Sequence, residues 1–391
     1  MIISSALSLH RFFVRTGLMV GVFAWIFIFQ YFYVRTGSLR FALAGTALTY
    51  ALMHDVTLLL TPLSARSLRN GSRRPLMIGI LLASIAFAAL ALAFSGSAGA
   101  QIGLGVLAFA LCMGSYRACY WVPYEVDASR VAHPKHRHLV QELFFAFVPA
   151  CVGLVLMLGY PAPVWVLFLA ALCVLSSIIP LLRVPNVHEG FSWGYLTTFR
   201  ELFAARHQKM VVAAIMDGVS GAALLLFWPI AIFLIVGWSY ALVGIILSAT
   251  FLIVLFSRRY IRRLIQSSSL HDSVVVQAAL AASSWIFRLT VASPLGAVMV
   301  DSYFYTGTPI RGTGIDPFGY DQAADRGSYV DEYTALKEIG LSIGKILVCL
   351  VAAYLALRIS LPLTLMSIFA LAALASSISV FLTWKKDALP Y

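Results

Sequence analysis

The sequence predicts an all-α membrane protein whose helices cross the bilayer many times. Of its 391 residues, 61% are hydrophobic and only 11% are charged, whereas soluble domains average about 25% charged residues. The apolar residues form runs long enough to span a bilayer, and the basic residues lie in short clusters between these runs. The net charge of +12 is therefore a signal of membrane topology, and nucleic acid is not an expected partner.

Twelve segments are predicted to be transmembrane helices, since about 20 apolar residues cross the roughly 30 Å hydrocarbon core. Six lie in the first half of the chain, at 17–34, 41–63, 75–95, 102–122, 139–158 and 162–182. Six more lie in the second half, at 210–236, 239–257, 272–292, 294–309, 334–357 and 361–384. The tenth is the weakest, because it is short and runs into Thr308-Pro309 and a polar stretch.

The positions of Lys and Arg predict how the helices are oriented. With the N-terminus inside, nearly all basic residues between the spans fall on the inner side, and only Arg35, Arg40 and Arg358 fall outside. Inner loops of membrane proteins are enriched in Lys and Arg. We therefore expect a multi-pass protein of a bacterial inner membrane with both termini in the cytoplasm. The basic run 258–263 is expected to contact anionic membrane lipids.

Two long connections divide the chain. Residues 183–209 mix aromatic and polar side chains, which predicts a short helix on the membrane surface. Residues 310–333 are rich in Gly and acidic residues, which predicts an irregular cytoplasmic loop. The expected domains are a six-helix half at 1–182, a central cytoplasmic loop at 183–209, and a six-helix half at 210–391 that includes the loop 310–333.

The connection between the second and third spans carries a basic motif. Residues 64–74 match the pattern G-x-x-x-D-R-x-G-R-R at Arg69, Gly71 and Arg73, and depart from it at three positions, among them Leu68 in place of the aspartate. With this motif and its six-plus-six arrangement, the chain resembles a divergent member of the major facilitator superfamily. The resemblance implies two pseudo-symmetric six-helix bundles, transport by alternating access, and a gating role for this loop. The missing aspartate leaves the gating role and transport itself open.

Ionisable residues inside the spans are the candidate site residues, since each costs about 2.5–3.5 kcal/mol at the bilayer centre. In the eleventh span, Thr334, Glu338, Ser342 and Lys345 follow helical spacing and form one polar stripe, with Lys345 near the midplane. Such a stripe suits a water-filled cavity in which Lys345 binds an anionic group. The alternative is a buried ion pair that locks two helices together.

Glu338 and three further residues are candidates for moving protons. Asp55 and its neighbour His54 lie deep in the second span, and Asp217 lies two turns into the seventh. A carboxylate or imidazole in a low-dielectric site exchanges protons near neutral pH. The alternative for each is a hydrogen bond that only fixes helix packing.

Four other charged residues are expected to form structural ion pairs. Arg117 and Glu142 are predicted to bridge the fourth and fifth spans near their inner ends. Arg288 and Asp301 are predicted to pair beside the turn between the ninth and tenth spans, near the outer face.

No enzyme signature occurs in the sequence, which contains no P-loop, G-x-S-x-G, H-E-x-x-H or dinucleotide-binding pattern. We therefore expect no enzyme activity, no cofactor and no metal site. The leading hypothesis is a monomeric secondary active transporter of a small solute, coupled to protons, whose cargo is anionic if Lys345 binds it. The alternative is a transporter-like scaffold without transport activity, serving a membrane complex or a cell-envelope pathway.

Overall fold

The computed structural model describes residues 2–96, 101–130, 139–266, 274–307 and 330–383, which form helices joined by turns and irregular connections. The first half contains α1 (Ile2–Thr36), α2 (Leu39–Ser67), α3 (Arg73–Phe94), α4 (Ile102–Arg130), α5 (Leu139–Leu156), α6 (Ala162–Ser176) and α7 (Ile178–Leu181). The central connection contains α8 (Tyr195–Leu202). The second half contains α9 (Gln208–Ala222), α10 (Trp228–Ile235), α11 (Tyr240–Gln266), α12 (Val274–Arg288), α13 (Pro294–Gly307), α14 (Val330–Arg358) and α15 (Leu361–Thr383).

Ten of the helical segments in the described residues are long and apolar enough to cross a membrane, so the chain is a multi-pass membrane protein. The sixth joins α6 to α7, and the seventh joins α9 to α10 through the π-helical turn Ala223–Phe227. The predicted ninth and tenth spans correspond to α12 and α13, which have only 15 and 14 residues. Their bounds adjoin residues 267–273 and 308–329, which lie outside the described residues.

Several helices differ in length from their predicted spans, and three of these differences bear on the candidate residues and connections. The first, α1, begins at Ile2, far before the predicted apolar run. The fourth continues through Pro123 to Arg130, because proline is tolerated in transmembrane helices whose neighbours satisfy the freed backbone groups. The predicted loop 310–333 ends early, because α14 begins at Val330 with two acidic residues in its first turn, where the helix dipole favours negative charge.

Helix packing repeats between the two halves. In the first half α1 and α3 both pack on α6, and α2 packs on α4. In the second half α9 and α12 both pack on α15, and α11 packs on α13. These are the same pairs of spans shifted by six, the relation expected of a parallel repeat.

The two halves meet along two seams that are related by the same shift. One is formed by α2 and α14, the other by α5 and α11. At the second seam a Cβ atom placed on Gly244 would lie 2.2 Å from the carbonyl oxygen of Pro149, and one on Gly153 would lie 2.5 Å from that of Tyr240. Only glycine allows backbones to approach this closely.

We expect Gly244→Ala to destabilise the protein by about 1–3 kcal/mol, because the added methyl group overpacks the α5–α11 seam. The midpoint of thermal unfolding in detergent should fall. Gly190→Ala is the control, since a Cβ there meets nothing within 4 Å, and its midpoint should match that of the wild type. Equal midpoints for the two variants would contradict this close contact of the halves.

Candidate functional site

A buried ion pair joins the two halves in the middle of the protein. Arg117 on α4 donates from Nε to Oε1 of Glu338 on α14 over 2.8 Å, and both side chains are buried. The sequence predicted Glu142 of the fifth span as the partner of Arg117, whereas the structure gives it a different partner, in the opposite half. Because α4 extends to Arg130, Arg117 lies near the centre of its helix and not near its inner end.

The polar stripe of α14 faces the protein interior. Thr334, Glu338, Ser342 and Lys345 all have no exposed surface. Lys345 lies fourteen residues from Asp331 and thirteen from Arg358, the two ends of this span. At 1.5 Å per residue it is about 20 Å from each end, at mid-depth.

His54 faces this stripe from α2, which packs along α14. Its ring is fully buried and lies 4.7 Å from the ring of Tyr50, measured between centroids. Tyr50 and His54 lie on the buried face of α2, which packs on α4, the helix of Arg117, and on α14, the helix of the stripe. We call Tyr50, His54, Arg117, Glu338, Ser342 and Lys345 the central cluster.

Several polar atoms in and beside the central cluster have no hydrogen-bond partner among the described residues. They are Oε2 of Glu338, Oγ of Ser342, Oγ1 of Thr334 and both ring nitrogens of His54. A buried polar group left unpaired costs about 1–3 kcal/mol. Unpaired groups along this buried stripe and on the neighbouring face of α2 therefore indicate a place for water, a proton or a polar ligand.

The formal charge of the central cluster is positive. It contains two basic side chains, Arg117 and Lys345, against one carboxylate, Glu338. Guanidinium and ammonium groups both bind carboxylate and phosphate oxygens, so the central cluster contains the kinds of side chain that bind such a group. Among the described residues no group of three or more His, Cys, Asp and Glu is placed to hold a metal ion.

Arg288 and Asp301 form a second buried pair, which lies wholly within the second half. The Nη2 atom of Arg288 lies 2.7 Å from Oδ1 of Asp301, and Nε1 of Trp228 also donates to this carboxylate, at 2.8 Å. The guanidinium carbon is 4.5 Å from the ring centroid of Trp285 and 4.6 Å from that of Phe304. With its charge balanced and its faces covered by aromatic rings, this pair is suited to holding α10, α12 and α13 together.

The other predicted site residues lie away from the central cluster. Asp55 points to the exposed outer surface of α2, although the residue before it faces inward. The hydroxyl of Ser379 on α15 donates to Oδ1 of Asp217 on α9 over 2.5 Å. This hydrogen bond joins the two helices. Glu142 lies half-buried in the first turn of α5, which packs on α11, α1 and α6.

The residues of the basic motif bind the central connection. Arg69 donates from Nε and Nη2 to the carbonyl oxygen of Phe191, at 2.9 and 2.6 Å, and Arg73 donates from Nη2 to that of Val184, at 2.7 Å. Gly71 has a φ of 101°, which favours glycine. These contacts fix the α2–α3 turn to the connection between the halves, and we call this end of the protein the loop end.

Aromatic residues close the opposite end, which we call the distal end. Trp238, in the turn before α11, packs on Tyr33 of α1 with ring centroids 5.0 Å apart. The hydroxyl of Tyr240 donates to the side-chain oxygen of Gln30, also on α1. Sequence reasoning missed Trp238 and Tyr240, because it selected residues by charge. The positive φ of Trp238, 68°, marks the turn as unusual for a bulky residue.

The fold resembles two solved transporter structures. The human organic anion transporter MFSD10 (TETRAN) superposes with a TM-score of 0.51 at 13% sequence identity, over 97% of this chain and 97% of that one. A POT family transporter in complex with 5-aminolevulinic acid superposes with a TM-score of 0.62 at 11% identity, over 99% of this chain and 96% of that one. These likenesses confirm the major-facilitator-like fold that the sequence predicts. No protein-family model and no curated protein sequence matches the chain.

A double-mutant cycle tests the ion pair between the halves. We expect Arg117→Met and Glu338→Leu each to destabilise the protein by about 3–5 kcal/mol, because each leaves a buried charge without its partner. The double variant should lose less unfolding free energy than the two single variants lose together, since it contains neither charge. Unfolding in mixed micelles measures all four proteins, and additive losses would contradict a direct interaction.

Proposed function

We propose that this protein is a secondary active transporter of a small anionic solute, coupled to protons and working by alternating access. The observation that carries the proposal is the Arg117–Glu338 pair, a buried charge contact at mid-depth between the two halves. Halves that rock against each other must break and remake the contacts between them. A charged contact at this place is one that a proton or an ionic solute can open.

The chemistry of the central cluster supports an anionic cargo. An anion placed between Lys345 and Arg117 would compete with Glu338 for the guanidinium group. Once released, the Glu338 carboxylate would be isolated in a low-dielectric site and would take up a proton. Solute binding and proton binding would thus favour each other, which is the coupling that symport requires. His54 is buried on α2, which packs on the helices of both basic side chains, and is the candidate for passing the proton.

The two structural neighbours support a solute with a carboxylate. One is described as an organic anion transporter, and the other was crystallised with 5-aminolevulinic acid, which carries one carboxylate and one amino group. The positions of Lys and Arg support an orientation with both termini in the cytoplasm. The proposed protein is a monomer of a bacterial inner membrane whose halves divide at the central connection 183–209. With this orientation the loop end faces the cytoplasm and the distal end faces outward.

Transport assays in vesicles test this proposal. Purified protein is reconstituted in liposomes that contain a pH-sensitive dye, a pH gradient is imposed, and succinate, inorganic phosphate or 5-aminolevulinic acid is added as the probe. We expect proton movement that depends on one of these solutes. Lys345→Ala and Glu338→Gln should each lower the flux at least about tenfold, because each removes a charge of the coupling site.

Asp301→Asn is the matched control for Glu338→Gln. Each replacement removes the carboxylate charge beside a buried arginine, but the Arg288–Asp301 pair lies within one half and does not join the halves. Its flux, per folded protein, should stay within about threefold of the wild type. If folded wild-type protein moves neither protons nor any of these solutes, or if both carboxylate variants lose flux equally, the proposal fails.

A non-transporting scaffold is the second candidate, and the position of Asp55 favours it. This carboxylate is exposed in the middle of an outer stripe of α2 that consists of exposed Leu48, Leu59 and Leu63. A carboxylate facing lipid is costly unless a partner covers it, and a basic residue in another membrane protein would do so. A scaffold predicts no flux in the vesicle assay and a loss of host function in Asp55→Leu. A transporter predicts that Asp55→Leu keeps its flux.

A further inference from the structure

A cleft opens at the distal end, between the two halves. It has a volume of about 640 Å³ and is lined by Tyr33, residues 37–40 and residues 358–361. The first two sets belong to the end of α1 and the start of α2, and the third joins α14 to α15. We call this space the distal cleft. It is distinct from the central cluster, which is buried at mid-depth.

Two arginines from opposite halves line the distal cleft. Arg40 stands in the first turn of α2, and Arg358 ends α14. Both side chains are exposed, and the guanidinium carbon of Arg358 lies 5.7 Å from the ring centroid of Tyr354. The described residues that line the cleft include no acidic side chain. The field in this space is therefore positive and attracts anions.

The placement of these arginines runs against the charge pattern of the whole chain. Only Arg35, Arg40 and Arg358 fall in the segments that the sequence topology assigns to the outer side, and two of these three line one cleft. The first backbone N–H groups of α2 and of α15, which start at Leu39 and Leu361 on the cleft wall, add donors without helical acceptors. Donors and fixed cations converge here on one space.

The helices that carry these arginines also lead to the central cluster. Arg40 precedes His54 by fourteen residues on α2, and Arg358 follows Lys345 by thirteen residues on α14. At 1.5 Å per residue both separations are about 20 Å. The distal cleft and the central cluster thus lie on the same pair of packed helices, at two levels of the same seam between the halves.

We infer that the distal cleft binds anions with carboxylate or phosphate oxygens between Arg40 and Arg358, and that it recruits the solute before the halves open toward the distal end. The recruiting role rests on the proposed transport function, whereas the binding itself does not. Arginines from opposite halves give the site a second property. A ligand that bridges them holds the distal end closed, and its release accompanies separation of the two helices.

Binding is tested with full-length protein in nanodiscs of phosphatidylcholine, using succinate and inorganic phosphate as probes in calorimetric titrations. Lys345→Ala protein is used throughout, so that an anion in the central cluster does not add to the signal. We expect Arg40→Gln and Arg358→Gln each to weaken binding about fivefold, and added salt to weaken it further. Arg35→Gln is the matched control, since Arg35 is an exposed arginine at the same end that donates to Tyr31 and does not line the cleft. Its affinity should stay within about twofold.

Two results would overturn the binding site. One is the absence of any binding by folded protein, and the other is equal weakening by all three arginine variants, which would indicate net charge alone. A second set of nanodiscs contains phosphatidylglycerol. If this lipid displaces succinate and phosphate through Arg40 and Arg358, the site belongs to lipid headgroups and the recruiting role is wrong.

The recruiting role is tested by transport in the wild-type background. We expect Arg40→Gln and Arg358→Gln to raise the KM for the transported solute about fivefold with little change in kcat, because they act on capture and not on the central step. An unchanged KM with an active wild type overturns recruitment and leaves the transporter proposal intact. If the protein binds anions at Arg40 and Arg358 but shows no flux, the distal cleft is still an anion-binding site and the transport proposal fails.

Discussion

The arrangement of the protein depends on a buried ion pair between its halves. Arg117 and Glu338 lie 221 positions apart in the chain and meet at 2.8 Å, with both side chains buried. Burying two charges is costly, and hydrophobic residues of the same volume are often at least as stabilising. A buried pair in this position is therefore better explained by its ability to open when a proton or a ligand binds than by the stability that it adds. Glu338 keeps one oxygen without a partner among the described residues, which leaves the pair open to a proton or a ligand.

The contacts around this pair divide the interface into levels. At the loop end the basic motif and the central connection bind each other, and a small apolar cluster that includes Ala65, Val126, Phe191 and Ala335 joins the halves. At the distal end Trp238 and Tyr240 pack against α1. The halves thus touch above and below the central cluster. In the proposed alternating access one of these end contacts would open while the other holds, and the central charges would trigger the change.

Much of the fold could be predicted from apolar runs, because lipid requires helices that satisfy their own backbone. Helix ends were less predictable. Proline signals an end in soluble proteins but α4 passes through Pro123, and α14 begins four residues before its predicted start at 334. Both differences change where charged residues lie within their helices. Arg117 lies at the centre of α4, and Asp331 and Glu332 lie in the first turn of α14.

The candidate site was only partly predictable. The stripe on α14 follows from spacing alone, but the partner of Arg117 does not, since nothing in a single sequence relates positions so far apart. His54 and Asp55 are adjacent, but only His54 is buried. The spacing of Thr46, Tyr50, His54, Thr57 and Thr61 marks the buried face of α2, which includes His54 and excludes Asp55. The contacts of Trp238 and Tyr240 at the distal end involve no charged side chain, so no pattern in the sequence singles them out.

Exchanging the charges of the central pair tests most directly whether it is a transport site or only a lock between the halves. In Arg117→Glu/Glu338→Arg the pair can form again with its direction reversed, but the donors for an anion have moved from α4 to α14. We expect the exchange to recover most of the unfolding free energy lost by the single variants, while solute-dependent proton flux in vesicles stays at least about tenfold below the wild type. Flux that returns together with stability would contradict this account, because it would mean that the pair serves only to hold the halves together.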